Sequence, residues 1–324
     1  MRKKLVFIAI ILSIILVIIS YGKSDNKNDV FPSKNIKIIV PYGAGGGVDI
    51  TTRLFVGAGK NNSLLKEQSF IVENISGGGG AVGHTNAYKA EPDGYTIIAY
   101  TNAVVNNPIL KDVIYNKDDF KTLAMVCFDP EILVVPPNSK FNNLDEFIEY
   151  AKNNDIKIST PGHSTSHHIA ASLLAKEQKL KFKYLHNDGA SVQLQQLMGG
   201  HCDAAFMSVG ETVSQLRDGS IKALGVMNEN RIHIIDDIPT FKERDIELVY
   251  GAYRGYGCSK DVPEEEYKLL RELFEEIASS DEFIKIMEDT GIPYCFKNSI
   301  DFQNYVEDAS KEIEDIKFLL RDNK

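Results

Sequence analysis

The chain contains 324 residues, of which 43% are hydrophobic and 25% charged, enough for two modest hydrophobic cores. Its formal net charge is −9, and no long run of lysine and arginine follows the first few residues. A nucleic-acid partner is therefore not expected, because phosphate binding requires clustered basic side chains.

The first residues are typical of an export signal. Residues 1–4, Met-Arg-Lys-Lys, form a basic segment, and residues 5–19 form an apolar run interrupted only by Ser13. This run is shorter than the roughly 20 apolar residues that a membrane-spanning helix needs. We interpret residues 1–22 as a signal peptide and the polar residues 23–30 as a tether, with a retained anchor helix as the alternative. The protein is expected in the periplasm or at the outer face of the cytoplasmic membrane.

From residue 36 onward, short β-rich apolar runs alternate with stretches of helical periodicity. Strands are predicted at 36–40, 69–73, 95–100, 132–135, 156–159, 204–207 and 223–226. The longest amphipathic helices are predicted at 263–279 and 299–320. This alternation predicts an α/β protein with parallel sheets covered by helices on both faces.

Two pairs of residues have the spacing of a helix N-terminal capping box. Asn143 with Glu146, and Thr240 with Glu243, place a hydrogen-bonding side chain three residues before an acidic one. In such a box the two side chains satisfy backbone N–H groups that the helix leaves unpaired. Helices are therefore predicted to begin beside Asn143 and Thr240.

Two segments are typical of hinges between domains. They are Asp129-Pro130 and the glycine- and tyrosine-containing stretch 251–257. Two crossings predict a discontinuous first domain, residues 31–130 plus 254–324, with a second domain at 131–253. This is the organisation of a clamshell receptor, in which hinge strands accommodate closure.

Three loops, each between a predicted strand and a predicted helix, are rich in glycine or hydroxyl groups. They comprise residues 41–49, 76–83 and 159–166. Glycines allow the backbone close to a ligand, and the N–H groups of the following helix bind an anion without a cationic side chain. Open α/β sheets bind ligands at the carboxyl ends of their strands. Any one loop can be a simple turn, but three in two lobes favour an anion-binding site.

Cysteine and histidine spacing predicts no metal and no cofactor. The four cysteines are far apart, with no C-x-x-C pair, and are interpreted as small buried apolar residues: Cys127, Cys202, Cys258 and Cys295. The histidines lack H-E-x-x-H or comparable ligand spacing: His163, His167, His168 and His201.

An ordered set of motifs resembles one receptor family. It includes KIIVPYGAGGGVD at 37–49, GGGGAVG at 77–83, PDGYT at 92–96, MGGHCDA at 198–204 and IPTF at 238–241. The set resembles the substrate-binding receptors of tripartite tricarboxylate transporters, the Bug family, over nearly everything after the signal segment. The resemblance implies a two-lobed Venus-flytrap fold like that of periplasmic binding proteins, with two mixed or parallel sheets joined by hinge strands.

The resemblance also implies which residues contact a carboxylate ligand. In the first lobe these are Tyr42, Ala44, Gly45, Gly46 and Asp49, bordered by Thr101 and Asn102. In the second lobe they are Gly162, Ser164, Thr165 and His168, with Ser208 at a neighbouring strand end. Arg254 is expected either to pair with a ligand carboxylate through its planar guanidinium or to form a salt bridge between the lobes.

Three residues depart from the family pattern. Ser164 stands where a glycine is usual, and Tyr253 where the family often has tryptophan. Both can alter the size or polarity of the ligand. Tyr21 stands where a lipoprotein signal has its lipidated cysteine. Since a phenol cannot form the thioether, no lipid anchor is expected.

An NAD-dependent oxidoreductase is the second hypothesis. Gly78, Gly80 and Gly83 match the spacing of the dinucleotide fingerprint, and Glu73 ends a predicted strand. However, no acidic residue ends the strand after this loop, and an exported protein is separated from its cofactor supply. A hydrolase using Ser164, His167 and Asp188 lacks the G-x-S-x-G turn that would present the nucleophile.

We therefore expect a receptor without enzymatic activity. It would bind a di- or tricarboxylate between two lobes and deliver it to the integral-membrane permease subunits of a tripartite transporter. The net negative charge does not oppose this, because helix N-termini set the local field.

Overall fold

A computed structural model describes residues 30–321 of the chain. The predicted signal peptide and all but the last residue of the tether lie outside these residues. Within the described range, no helix is both long enough and apolar enough to cross a membrane.

The described residues form ten strands and ten α-helices. The strands are β1 (Ile36–Val40), β2 (Phe70–Asn74), β3 (Thr96–Thr101), β4 (Phe120–Val135), β5 (Ile156–Thr160), β6 (Phe182–His186), β7 (Ala204–Ser208), β8 (Lys222–Val226), β9 (Gly251–Ser259) and β10 (Tyr294–Asn298). The helices are α1 (Gly47–Ala58), α2 (Ala81–Tyr88), α3 (Asn102–Leu110), α4 (Leu144–Asn153), α5 (Ser166–Glu177), α6 (Ala190–Met198), α7 (Val209–Arg217), α8 (Glu264–Ala278), α9 (Asp281–Thr290) and α10 (Ser299–Arg321).

The strands follow the order β2-β1-β3-β9-β4-β7-β5-β6, with β8 and β10 also paired to β4. Strand β4 belongs to two sheets. Its residues 120–130 pair with β9, and its residues 131–135 pair with β7 and β8. The first lobe is defined here as β1, β2, β3, β9, β10 and residues 120–130 with their helices. The second lobe is β5 to β8 and residues 131–135 with theirs.

Both sheets are mixed. Strand β1 is parallel to β2 and β3, and β5 is parallel to β6 and β7. Strand β9 is antiparallel to β3 and β4. The predicted fold class, a two-lobed α/β structure with two mixed or parallel sheets, is confirmed. Of the two kinds of sheet that were expected, the mixed kind is the one present. The predicted domain limits stay a prediction.

Alternating side chains of β4 show why both faces of the second sheet are covered. Ile132 and Val134 pack with Leu197 of α6 and Val213 of α7 on one face. Leu133 and Val135 pack on the other face with side chains of α4 and α5, including Phe147 and Leu174. Successive residues of a strand point to opposite faces, so an uninterrupted apolar run requires a helical layer on each.

In the first lobe, one aromatic cluster holds α1 against the sheet. Phe55 is fully buried and lies 4.5 Å from Tyr256 and 5.1 Å from Phe274, measured between ring centroids. Strand β9 supplies Tyr256, and α8 supplies Phe274. Aromatic pairs at this separation add stability beyond the area they bury. The amino end of α1 is therefore held firmly at the edge of the sheet.

Six of the seven predicted strands match the structure within one residue at each end, and the seventh is the last part of β4. Strands β6, β9 and β10 were not predicted. Strand β9 has the sequence GAYRGYGCS and is almost wholly buried, so it has neither alternation nor a β-branched run. The glycines are required by close packing, since a Cβ at Gly255 would overlap the Ala124 carbonyl oxygen.

The two predicted capping boxes have different outcomes. Asn143 Oδ1 accepts from the Glu146 N–H, and α4 begins at the next residue, Leu144. Thr240 Oγ1 accepts from the Glu243 N–H in the same way, but only a 3₁₀ turn, Lys242–Arg244, follows. A helix is therefore confirmed beside Asn143 and wrong beside Thr240.

All four cysteines are free thiols in the structure. Cys127, Cys202 and Cys258 are buried, as predicted, and Cys295 is half-buried.

Candidate ligand-binding site

A cavity of about 40 Å³ lies between the two lobes. It is bounded by the residues that follow β1, β3, β5 and β7, the carboxyl ends of four strands. Its first-lobe lining is Tyr42, Gly46, Gly47, Val48, Thr101, Asn102, Ala252, Tyr253 and Arg254. Its second-lobe lining is Pro161, Thr165, Ser166, His167, Ala190, Ser208 and Glu211.

Five helices begin at the wall of this cavity. They are α1 at Gly47, α3 at Asn102, α5 at Ser166, α6 at Ala190 and α7 at Val209. The first N–H groups of a helix have no partner within the helix and carry a partial positive charge. Because two of these helices belong to the first lobe and three to the second, their field converges between the lobes. This arrangement attracts an anion without a free cationic side chain.

Glu211 is the acidic residue at the centre of the cavity wall, and sequence analysis did not identify it. The Gly47 N–H, at the start of α1, donates to Glu211 Oε1 at 2.9 Å. The Ser208 N–H donates to Glu211 Oε2 at 3.3 Å, so Ser208 and Glu211 form a capping box at α7. The carboxylate therefore joins a first-lobe helix to a second-lobe helix. The Ser-x-x-Glu spacing directly after β7 was the available sequence signal.

Arg254 lies at the cavity wall in a buried ion pair. Its Nη2 is 2.9 Å from Asp129 Oδ2 and 3.7 Å from Glu211 Oε1, and its Nη1 donates to Thr51 Oγ1 at 3.3 Å. Asp129 lies on β4 where the chain passes from one sheet to the other, and Glu211 belongs to the second lobe. The bridge to Asp129 lies within the first lobe, whereas the 3.7 Å contact with Glu211 spans the two lobes. The two roles expected for Arg254 both stay predictions.

His167 is oriented by a glutamine that is itself fixed. Gln193 Nε2 donates to the carbonyl oxygens of Ser159 and Phe206, at 2.8 and 2.6 Å. Gln193 Oε1 must therefore accept, and His167 Nδ1, 3.0 Å away, is its donor. The other ring nitrogen, Nε2, faces two carboxylates, Glu211 Oε2 at 3.4 Å and Glu131 Oε1 at 3.7 Å. Nε2 also lies 3.4 Å from Ser208 Oγ, so both ring nitrogens of His167 contact polar groups of the second lobe.

Glu131 is completely buried behind His167. Neither of its oxygens makes a hydrogen bond with the described residues. Burial raises the pKa of Glu131 to about 7, an effect that His167 and Ser166 oppose and that Glu211 and Asp129 reinforce. This carboxyl group therefore exchanges its proton near neutral pH.

Seven of the predicted site residues line the cavity: Tyr42, Gly46, Thr101, Asn102, Thr165, Ser208 and Arg254. The other six lie in the same two segments, four of them in loops and two, Asp49 and His168, in the first turns of α1 and α5: Ala44, Gly45, Asp49, Gly162, Ser164 and His168. The site roles inferred for all thirteen stay predictions.

Two lining residues of the first lobe make fixed contacts. Burial raises the pKa of Tyr42 to about 12, and its hydroxyl lies 3.4 Å from Thr101 Oγ1. Asn102 Oδ1 accepts from the Tyr253 N–H at 3.0 Å, and its Nδ2 donates to the Gly251 carbonyl oxygen at 3.2 Å. Tyr253 is thereby held at the cavity wall.

Asp49 stabilises the first loop from within. Its carboxylate accepts hydrogen bonds from the Gly45 N–H, from Arg53 Nε and from Asn74 Nδ2, at 2.9 to 3.0 Å. These contacts hold the pKa of Asp49 below its usual value although burial acts in the opposite direction. Asp49 therefore shapes the loop that presents Gly46 and Gly47.

Ser164 adopts the left-handed backbone conformation, with φ of 68°, a conformation that favours glycine. Its N–H donates to His168 Nδ1 at 3.2 Å, and its carbonyl oxygen accepts from Asn106 Nδ2 of the first lobe at 3.0 Å. Burial lowers the pKa of His168 to about 2, so the ring is neutral. The Thr165 hydroxyl donates to the Gly162 carbonyl oxygen at 2.8 Å.

The arrangement does not assemble the hydrolase considered above. Ser164 Oγ lies 2.6 Å from His163 Nδ1, whereas the His167 ring is engaged by Gln193. The loop that matches the dinucleotide fingerprint packs against the second lobe. A Cβ at Gly79 would overlap the His163 carbonyl oxygen, and Lys111 Nζ donates to both the Gly78 and His163 carbonyl oxygens.

Known proteins share this architecture. BugD, a periplasmic binding protein, superimposes with a TM-score of 0.83 at 23% identity, covering 89% of this chain and 98% of BugD. MatC from Rhodopseudomonas palustris, solved with bound malate, gives a TM-score of 0.80 at 22% identity, covering 89% of this chain and all of MatC (100%). The fold is therefore that of the periplasmic solute-binding proteins.

Sequence comparison adds the family. The model of the tripartite tricarboxylate transporter family receptor matches residues 57–318. A UPF0065 protein encoded in the gbd 5' region of Cupriavidus necator is 28% identical over 306 residues, covering 90% of this chain and 88% of the relative. The chain belongs to the tripartite tricarboxylate transporter receptor family, the Bug family, and the resemblance inferred from its motifs is confirmed.

The buried Glu131 predicts how stability depends on pH. Because its pKa is raised from 4.5 to about 7 in the folded protein, the folded state binds this proton more tightly than the unfolded chain. The free energy of unfolding therefore falls as pH rises between those values, by up to about 3 kcal/mol from this group. We expect Glu131→Gln to remove this loss and to be more stable than wild type at pH 8, measured by urea unfolding at pH 4.5 and 8.

The control is Glu67→Gln, since Glu67 is exposed. It should retain the wild-type difference between the two pH values. An unchanged difference in Glu131→Gln would contradict the assignment.

Proposed function

We propose that this protein is an extracytoplasmic receptor that binds a small carboxylate between its two lobes and delivers it to the permease of a tripartite transporter. One observation carries the proposal. The N-termini of α1, α3, α5, α6 and α7 converge on a single cavity at the carboxyl ends of strands from both lobes. Hydrogen bonds to a charged group contribute about 1.5–3 kcal/mol each, so a few such amides give useful affinity.

The related structures support a carboxylate as the ligand. MatC, which has the same fold, was solved with malate. The family resemblance implies a di- or tricarboxylate, and permease subunits embedded in the cytoplasmic membrane as partners. We propose that the receptor acts in the periplasm or at the outer face of the cytoplasmic membrane.

We further propose that the lobes close about the segment where β4 changes sheets. The pairing of β4 with β9 ends at Pro130 and Gly251, and the Glu131 N–H donates to the Tyr250 carbonyl oxygen at 3.0 Å. These backbone positions lie on the two connections predicted as hinges. A ligand that contacts both lobes binds the closed form more tightly than the open form, and this difference drives closure. Domains at 31–130 plus 254–324 and at 131–253 fit this movement.

The test of the receptor function is a thermal-shift screen of mono-, di- and tricarboxylates. A ligand that binds only the folded protein stabilises it by about 2.7 kcal/mol at one hundred times its Kd. We expect at least one small carboxylate to raise the melting temperature in a saturable manner. If none does so across millimolar concentrations, the proposed function is wrong.

Gly47 gives a sharper test of where the ligand binds. A Cβ at Gly47 would overlap Glu211 Oε1 and Arg254 Nη2, so Gly47→Ala fills part of the site. Alanine is compatible with the first turn of a helix, so α1 should form normally. We expect the affinity for the carboxylate found in the screen to fall at least about tenfold, which is about 1.4 kcal/mol. Isothermal titration calorimetry measures this directly.

The matched control is Gly57→Ala in the same helix. A Cβ at Gly57 has nothing within 4 Å, so this variant should bind like wild type. Equal affinities for Gly47→Ala and wild type would place the ligand elsewhere.

A further inference from the structure

A second cavity, of about 160 Å³, lies beside the two chain segments that connect the lobes. Phe128 of β4 and residues 249–251 line it from those segments, and Ala309, Glu312 and Ile313 line it from α10. It is called here the α10 cavity. A cavity of roughly 150 Å³ can hold a molecule the size of benzene. The α10 cavity is therefore large enough for a small organic ligand.

Asn102 and Tyr253 form a wall that the α10 cavity shares with the cavity between the lobes. Asn102 Oδ1 accepts from the Tyr253 N–H at 3.0 Å, and its Nδ2 donates to the Gly251 carbonyl oxygen at 3.2 Å. One turn further along α3, Asn106 lines the α10 cavity but not the other one, and it donates to the Ser164 carbonyl oxygen at 3.0 Å. Hydrogen bonds within the protein thus fix the wall between two separate sites.

Aromatic side chains make up much of the lining of the α10 cavity. They are Phe128, Tyr250, Tyr253 and Tyr305. The rings of Tyr253 and Tyr305 are nearly perpendicular, at 85°, with centroids 5.3 Å apart. The face of an aromatic ring attracts a cation, and several rings around one cavity are the arrangement with which proteins recognise quaternary ammonium groups. The aromatic lining therefore favours a small organic cation.

The charge of the lining has the matching sign. Glu312 is its charged side chain, and among the described residues no lysine or arginine lines the α10 cavity. Burial, and to a smaller extent the Glu312 carboxylate, raises the pKa of Tyr305, so this carboxylate acts on one of the aromatic rings. Lys297 Nζ lies 5.7 Å from the centroid of the same ring, from outside the lining. The Tyr305 ring thus already attracts one cation, and an anionic ligand would meet only a negative charge.

One hydroxyl group of the lining has no partner. Tyr253 is 1% exposed, and its hydroxyl makes no hydrogen bond with any residue that the structure describes. Buried polar groups in proteins nearly always have a partner, supplied by the protein or by a bound molecule. A bound molecule in the α10 cavity would account for this hydroxyl.

We propose that the α10 cavity is a second binding site, for a small organic cation with a quaternary or methylated ammonium group. Phe128, Tyr250, Tyr253 and Tyr305 surround the ammonium group, and Glu312 balances its charge. The inference does not depend on the proposed receptor function, because the site lies outside the cavity between the lobes.

Choline and its neutral carbon analogue dimethylbutanol, in which a tert-butyl group replaces the trimethylammonium group, test the proposal. The two molecules have nearly the same shape and differ in charge. We expect choline to bind wild type saturably and at least about tenfold more tightly than the neutral analogue, measured by isothermal titration calorimetry. Equal affinities, or no saturable binding of choline at millimolar concentrations, would overturn the proposal.

Two variants on α10 locate the site. Ala309→Leu fills the cavity with a residue that suits a helix, so it should abolish choline binding while the protein still folds. Glu312→Gln, at an exposed position, should weaken choline about threefold or more and leave the neutral analogue unchanged. The matched control is Glu314→Gln, an exposed side chain of the same helix outside the lining, which should bind choline like wild type.

Choline binding that neither Ala309→Leu nor Glu312→Gln weakens would contradict this location. Gly47→Ala separates the two sites, because it narrows only the cavity between the lobes and should leave choline affinity unchanged. Loss of choline binding in Gly47→Ala would place choline between the lobes and overturn the second site. The carboxylate screen is independent of each of these results, so failure of one proposal is distinguishable from failure of the other.

Discussion

The hydrogen bond from the Gly47 N–H to Glu211 Oε1 is the contact on which the site depends. It joins the start of α1 in the first lobe to the first turn of α7 in the second. The contact requires a glycine, because any side chain at position 47 would overlap Glu211 and Arg254. The negative charge of the carboxylate strengthens the contact, since a helix N-terminus stabilises an anion. The protein thus presents one anion of its own where a ligand carboxylate is expected to bind.

The rest of the fold places these two groups opposite each other. Phe55 anchors α1 through Tyr256 and Phe274, so the amide of Gly47 has a fixed direction. Ser208 caps α7 and orients Glu211 from the other side. Strand β4 passes through both sheets and connects the lobes beside Asp129, the partner of Arg254. A movement about this strand would separate Gly47 from Glu211, so closure and the composition of the site are coupled.

Local sequence patterns identified most strands and the three loops, because those signals are short-range. Uninterrupted apolar runs such as 36–40 predict buried strands, and glycine runs after them predict close backbone approach. Strand β9 was interpreted as a hinge because it is buried on both faces and rich in glycine, and therefore lacks alternation. Its antiparallel pairing with β3 and β4 depends on contacts between residues more than 120 positions apart.

The residues of the site could be predicted from the sequence only where the signal is short-range. Tyr42, Gly46, Thr101 and Thr165 follow strands and could be found from the motifs, and they line the cavity. Glu211 could not be assigned to the site, because a glutamate three residues after a serine is also an ordinary helix cap. Its role depends on Gly47, 164 positions away. The orientation of the His167 ring depends on its hydrogen bond with Gln193, which no local pattern predicts. Long-range pairing of polar groups is the information that local patterns lack.

Hydrogen–deuterium exchange, followed by mass spectrometry, tests the central claim most directly. The amides at the amino ends of α1, α5 and α7 should bind one carboxylate from both lobes. With the carboxylate that gives the largest thermal shift, exchange should slow in peptides covering 44–50, 163–168 and 206–211 together. Protection confined to one lobe, or found outside these three segments, would contradict a ligand held between converging helix N-termini.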